Sequence, residues 1–328
     1  MDTLDYMIKT LETLVNIPSP SGFTKDVMDF VKKEAEGFGY STEFSNKGGL
    51  IITVEGEKND TLGLSAHVDT LGAMVRSIDS DGYLKFTLVG GFTMHSIEGC
   101  YCKIHTREGG TFTGTILIKS SSVHSYDDAK TIERTDRNML VRIDEPVKSR
   151  EDVLALGINS GDYISFDAKF EYTPKGYIKS RHLDDKASVA VLLGLLKDMS
   201  EDQVKPNRRI KIVVSNYEEV GFGASWIPED ITEFIAVDMG AIGDDLNGNE
   251  FAVSICAKDS TGPYDYELTN QLITLAKEHQ LDYVVDIFPH YGSDVSAAYR
   301  GVIIFEVRSS ARVFMLHTEW REHMKRAS

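Results

Sequence analysis

Three apolar runs in this chain each end at or just before a histidine or an acid, and that constrains its fold more than any other feature. The runs TLGLSAH, IKIVVSN and FIAVD read as buried strands. They lead into AHVDT (His67, Asp69), NYEEVG (Glu218, Glu219) and AVDMG (Asp238). A fourth cluster, RHLDDKAS (Asp184, Asp185), stands just before a strongly apolar helical segment. In α/β sheets, ligands gather beyond the strand ends. Carboxylates buried there are costly unless they are paired or hold a metal.

The rest of the chain fits an α/β domain interrupted by a β-rich one. Leu4, Ile8, Leu11 and Val15 recur at helical spacing over residues 1–16, and Thr24 to Phe38 reads as a second amphipathic helix. NIPSPSG between them is a loop, broken by two prolines and a glycine. From about residue 72 to 175 short alternating runs appear: YLKFTLV, CYCKIHT, TFTGTILIK and YISFDAKFEYT. A charged stretch, DDAKTIERTDRN, lies among them. After RHLDDK the α/β pattern returns, with helices over Ala187–Met199 and YDYELTNQLITLAKEHQL and strands at RIKIVVSN, FIAVD and YVVDIFP. The expected fold is therefore α/β, with a mixed-sheet catalytic domain (1–71 and 176–328) and an inserted, barrel-like β domain (72–175).

Composition narrows the partners. A net charge of -16 argues against nucleic acid and anionic membranes. No apolar run is long enough to span a bilayer, and MDTLDYMIKTLETL lacks the basic and apolar regions of a secretory signal. The three cysteines, Cys100, Cys102 and Cys256, are odd in number and widely spaced, which points to reduced thiols and a cytoplasmic protein. Cys100 and Cys102 share a strand face, for which core packing is the simpler account than a metal.

Each acidic cluster has a plain reading and a chemical one. His67 and Asp69 are two apart in extended chain, so Asp69 can orient His67; a surface histidine with an acidic neighbour reads the same way. Either Asp184 or Asp185 can cap the helix that follows, yet two adjacent carboxylates among Arg181, His182 and Lys186 also supply the bridging anion of a dimetal centre. Glu218 and Glu219 point in opposite directions in extended chain. One can then bind metal while the other faces an attacking water. Asp238 reads as a loop acid or as a strand-end ligand. Together the clusters indicate a two-metal hydrolase.

The segments PSPSG, AHVDT, RHLDDKAS, NYEEVG, AVDMG and YGSD, in that order, resemble metallopeptidase family 42, the glutamyl and tetrahedral aminopeptidases. The resemblance implies a zinc-exopeptidase-like fold and two divalent ions, zinc, cobalt or manganese. His67 and Asp238 would complete one ion, Asp184 would bridge both, and Glu219 would bind the second. Glu218 would be the general base, with Asp69 steering His67. The inserted domain would serve dimerisation within a homo-oligomer, up to a dodecamer, acting on peptides.

The C-terminus departs from the family pattern. The family places a last histidine ligand in a segment like GPGxxASHxxERTH, whereas this chain ends SSARVFMLHTEWREHMKRAS. Back-translation with permissible codons, read one base out of register, turns VFMLHTEWREHMK into VYASHGMERTHE. A one-nucleotide frameshift near Gly301 accounts for this, and His317 falls close to the missing ligand's place. The alternatives to an active aminopeptidase are a catalytically damaged assembly subunit and another dinuclear-zinc exopeptidase or deacylase.

Overall fold

A computed structural model describes residues 1–301, and the backbone of the strand Ser310–Met315. The chain forms two compact units. One comprises Met1–Ile17, Thr24–Asp69 and the residues from Phe170 onward; the other comprises Pro18–Phe23 and Thr70–Lys169. The boundary thus falls at 169/170, six residues before the sequence-based one, and the PSPSG loop goes with the second unit.

In chain order the elements are α1 (Thr3–Asn16), α2 (Lys25–Gly37), β1 (Ser41–Phe44), β2 (Leu50–Val54) and β3 (Lys58–His67). The second unit adds β4 (Gly72–Ile78), β5 (Leu84–Val89), β6 (Tyr101–His105), β7 (Thr111–Ile118), β8 (Met139–Ile143), α3 (Arg150–Ala155) and β9 (Tyr163–Phe166). The first unit resumes with β10 (Glu171–Tyr172), β11 (Ile178–Lys179), α4 (Leu183–Glu201), β12 (Arg208–Ser215), β13 (Ile231–Asp238), β14 (Val253–Lys258), α5 (Tyr266–Glu278), β15 (Tyr283–Ile287), α6 (Asp294–Gly301) and β16 (Ser310–Met315).

The α/β unit is built on a mixed sheet in the order β1-β2-β12-β3-β13-β16-β14-β15. The three apolar runs are its middle strands: β12 and β13 flank β3, both parallel to it. Register brings their ends level. Ser215 pairs with His67, and Ala236 pairs with Ser65, two residues before Asp238 and His67 respectively.

Helix α4 buries Val189, Ala190, Leu192, Leu193 and Leu196. It meets the face of α1 formed by Met7, Leu11 and Leu14. The approach is close: a Cβ at Gly194 would lie 2.5 Å from Met7 Cε. The C-terminal carbonyls of α1 need donors. Lys186 supplies them, its fully buried Nζ donating to Leu14 O and Ile17 O at 2.8 Å each.

The second unit is a closed barrel, β4-β5-β8-β7-β6-β9. Its strands alternate as half-buried strands should; along β7, Gly114, Ile116 and Ile118 are buried between less covered neighbours. Val75, Phe86, Ile104, Ile116, Val141 and Ile164 fill the interior. Cys100 and Cys102 pack in that same core, while Cys256 lies in the core of the α/β unit. All three are free thiols, and burial pushes Cys102 and Cys256 up to about 12. The run YISFDAKFEYT is not one strand. It breaks after Phe166, and Glu171–Tyr172 pairs instead with β11 in the α/β unit. No helix among the described residues is long and apolar enough to cross a membrane.

Candidate metal centre

Every sequence-nominated site residue that the structure describes lies in the α/β unit. His67 ends β3 with its ring buried. Its Nε2 stands 3.0 Å from Asp184 Oδ1 and 3.7 Å from Glu218 Oε2. One donor atom each from His67, Asp184 and Asp238 lies within 4.8 Å of the others. Asp184 keeps its side chain 42% exposed, so this trio is open on the Asp184 side.

The two adjacent aspartates divide their work. Asp184 faces the trio, whereas Asp185 is buried and its Oδ2 accepts the backbone N–H of His67 at 3.0 Å. The chain kinks at this pair: both aspartates have non-helical backbone angles inside the element that begins at Leu183, so the regular helix starts after Asp185, which also bonds the Ser188 side chain three residues on.

Two expectations about the loop residues change. Glu218 and Glu219 are not extended but form a 3₁₀ turn, Glu218–Val220, which Gly221 ends at φ 84°. The expected side-chain contact from Asp69 to His67 is longer, at 3.5 Å, than the one from its backbone carbonyl, which lies 2.9 Å from Nδ1. The Asp69 carboxylate instead accepts the N–H groups of Glu218 (3.1 Å) and Glu219 (3.3 Å). One residue therefore ties the histidine to the glutamate loop.

The sequence reading missed three neighbours. Lys47 donates to Phe222 O at 3.0 Å, with Nζ 3.8 Å over the Phe222 ring and 4.4 Å over that of Tyr217. Asp294 is buried and accepts the Ala224 N–H at 2.9 Å. Tyr291 has its hydroxyl buried beside the acids; burial, then the Asp238, Glu218 and Asp184 charges, raise it well above the usual tyrosine value. Lys47 carries no local mark; Tyr291 and Asp294 are the first and last residues of YGSD, which was noted only as a motif. His317 lies outside the described residues, as does the segment on which the frameshift was read.

So many carboxylates in one buried place cannot all ionise without a cation. Burial and then Asp184 push Glu219 up to about 8 and Asp238 up to about 7. Burial raises Glu218 well above the carboxylate range, as burial and the Asp238 charge do Asp185. His67 goes up too: burial opposes its charged form, but Asp184, Asp69, Glu218 and Asp185 outweigh that. Glu219 Oε1 is buried with no hydrogen-bond partner. An imidazole and several carboxylates converging at one point, with an acceptor left over, fit divalent zinc, cobalt or manganese.

A pH dependence follows. Acids whose folded values are raised stabilise the fold below their unfolded values, and that contribution is lost as pH climbs through the folded ones. The metal-free protein should thus lose stability between about pH 4 and 8, through Glu219 and Asp238, with Glu218 and Asp185 acting in the same direction. Buried Lys186, lowered to about 7 mainly by burial, has the opposite sign, but its stabilisation on raising pH begins only above that value. Urea midpoints of chelator-treated protein should fall over this range, and added zinc should flatten the fall. A midpoint that rises with pH would contradict this.

Comparison with known proteins identifies the family. The sequence model of the M42 glutamyl aminopeptidase family matches residues 48–306. "Putative aminopeptidase YhfE" of Bacillus subtilis (strain 168) is 47% identical over 302 residues, covering 92% of this chain and 87% of the relative. Among solved structures, a TET1 peptidase of Pyrococcus horikoshii, said to assemble into a tetrahedron or a large octahedral shell, superposes with a TM-score of 0.81 at 22% identity, over 94% of this chain and 90% of that one. A TET aminopeptidase from a marine-sediment Thaumarchaeota archaeon gives 0.83 at 21% identity, over 94% and 88%. Those two likenesses speak for the fold. The family match and the Bacillus relative carry the assignment: this chain belongs to the M42 peptidases, hydrolases that act on peptide bonds.

Proposed function

We propose that the chain is a dinuclear metallo-aminopeptidase that removes N-terminal residues from peptides. The observation that carries the reading is the convergence of His67, Asp184 and Asp238 within 4.8 Å, beside the turn that bears Glu218 and Glu219. His67 and Asp238 would hold one divalent ion, Glu219 the other, and Asp184 would bridge them. His317 is the candidate for the remaining position, outside the described residues. Bound ions would polarise the scissile carbonyl and acidify the attacking water.

The chain's own residues do the rest. Glu218, 14% exposed and set near His67, takes the proton from water and hands it to the leaving amine. Asp69 holds the N–H groups of both glutamates and, through its carbonyl, the His67 ring. Asp185 fixes the His67 backbone. The chain would form a homo-oligomer, a reading supported by the assemblies described for the TET1 peptidase, and the barrel would serve the contact between subunits. Three free, buried thiols support a reducing compartment, the cytoplasm.

The test is a short peptide incubated with the protein and zinc, cobalt or manganese, followed by mass spectrometry. A ladder shortened only from the N-terminus, and abolished by chelator, is expected. Internal cuts, or a ladder indifferent to chelator, would sink the assignment. Light scattering on the same sample should show more than one subunit; a monomer would remove the proposed role of the barrel.

A further inference from the structure

Helix α6 meets the loop bearing Glu218 and Glu219 at three points. At its start, Asp294 Oδ1 accepts the Ala224 N–H at 2.9 Å. Near its end, Arg300 Nη2 donates to Gly221 O at 3.2 Å. At Gly301 the backbones are so close that a Cβ would lie 1.8 Å from Ser225 O.

The first contact depends on a missing side chain. A Cβ at Gly223 would lie 2.3 Å from Asp294 Oδ1, 2.7 Å from Ser215 Oγ and 3.0 Å from Glu218 N. The empty position at 223 is thus where the carboxylate, the end of β12 and the start of the glutamate turn come together. Any side chain there would push at least one of them away.

Asp294 is not explained by its own helix. The first turn of α6 is served by its serines: Ser293 N–H donates to Ser296 Oγ at 3.3 Å, and Ser293 O accepts from Ala297 N–H at 3.0 Å. The Asp294 carboxylate instead reaches across 70 residues to Ala224, with only 2% of the residue exposed. A helix-starting aspartate can do its ordinary work in water, whereas a buried carboxylate carries a desolvation cost that its bonds must offset. On the other side of the loop Asp69 grips the N–H groups of Glu218 and Glu219. The loop is therefore held by one buried carboxylate at the glutamates and by another behind them.

A general base acts only within hydrogen-bond reach of its proton, and a displacement of about 1 Å costs on the order of 10²-fold. We infer that Asp294 is a positioning residue: by accepting the Ala224 N–H in the space Gly223 leaves, it sets where Glu218 stands. This rests on the reading of Glu218 as the general base.

The test is steady-state hydrolysis of a short peptide by the metal-loaded protein, with metal content measured on each variant. Asp294→Ala should lower kcat roughly 10–100-fold, with KM within about threefold and parent-like metal content. Asp294→Asn keeps an oxygen that can accept the Ala224 N–H and should recover most of the rate. Gly223→Ala opens the same gap from the other side and should lower kcat similarly. The double variant Gly223→Ala/Asp294→Ala should be no worse than the poorer single one, because both break one contact. If Asp294→Ala does not fold, Asp294→Asn and Gly223→Ala still carry the comparison. Parent-like kcat in both Asp294→Ala and Gly223→Ala, a loss confined to KM, lost metal in Asp294→Ala, or an Asp294→Asn as poor as Asp294→Ala each overturns the inference. Glu218→Gln separates the two levels. If it keeps the parent rate, the general-base reading fails and takes the inference with it. If it is inactive while Asp294→Ala and Gly223→Ala are both normal, the inference alone fails.

Discussion

Glu218→Gln is expected to keep its fold and its metal ions and to lose about 10²–10⁴-fold in kcat. The amide fills the same space, and the backbone N–H of residue 218 still reaches Asp69, so the turn itself is unchanged. What disappears is the capacity to accept a proton. Neighbouring groups do not replace it easily: Asp69 has both oxygens committed to the turn, and Asp185 is held by the His67 N–H. Peptide hydrolysis and metal content measured together decide the matter. Turnover near the parent rate would remove Glu218 from the chemistry. A variant that loses metal as well as rate would make it a ligand instead.

Asp184→Ala should lose both ions together and, with them, measurable hydrolysis. Two unit charges about 4 Å apart repel by about 4 kcal/mol at an effective dielectric near 20, and two dications by about four times that. A shared carboxylate offsets this repulsion, and Asp184 is the one acid whose oxygen lies 3.0 Å from His67 Nε2 while its side chain remains partly open. Asp185, buried and turned to the His67 backbone, should tolerate replacement better as far as metal content is concerned. Metal analysis per chain distinguishes the roles. One ion retained at full occupancy in Asp184→Ala would make Asp184 a terminal ligand.

How much of this was legible before any coordinates depended on the range of each interaction. Strand-end positions were readable, because TLGLSAH, IKIVVSN and FIAVD carry their burial in a local pattern and parallel register then brings His67 and Asp238 level. The barrel was readable for a similar reason: alternation along β7 is a property of eight consecutive residues. The direction of Glu218 and Glu219 was not. The premise of extended chain fails where β12 ends at Ser215 and a 3₁₀ turn begins three residues later. Asp69 was read as a partner of His67, since they are near in sequence; its bonds to the turn span about 150 positions and leave no local trace. Asp294, Gly223 and Lys186 share that property. Each matters through something brought to it by the tertiary fold. YISFDAKFEYT failed differently, since one alternating run is divided between two units at Lys169, whose φ of 50° turns the chain.

The placement of the thiols has a practical corollary. Cys100 and Cys102 are sealed in the barrel and Cys256 in the α/β unit, each at most 3% exposed. A thiol at about 12 offers almost no thiolate near neutral pH, and alkylation proceeds through the thiolate. Modification of the folded chain must therefore wait for an opening event. Since the two units hold different cysteines, peptide mapping of a timed alkylation records which of them opens first. The molecule carries its own two-channel clock for unfolding, with no label to introduce.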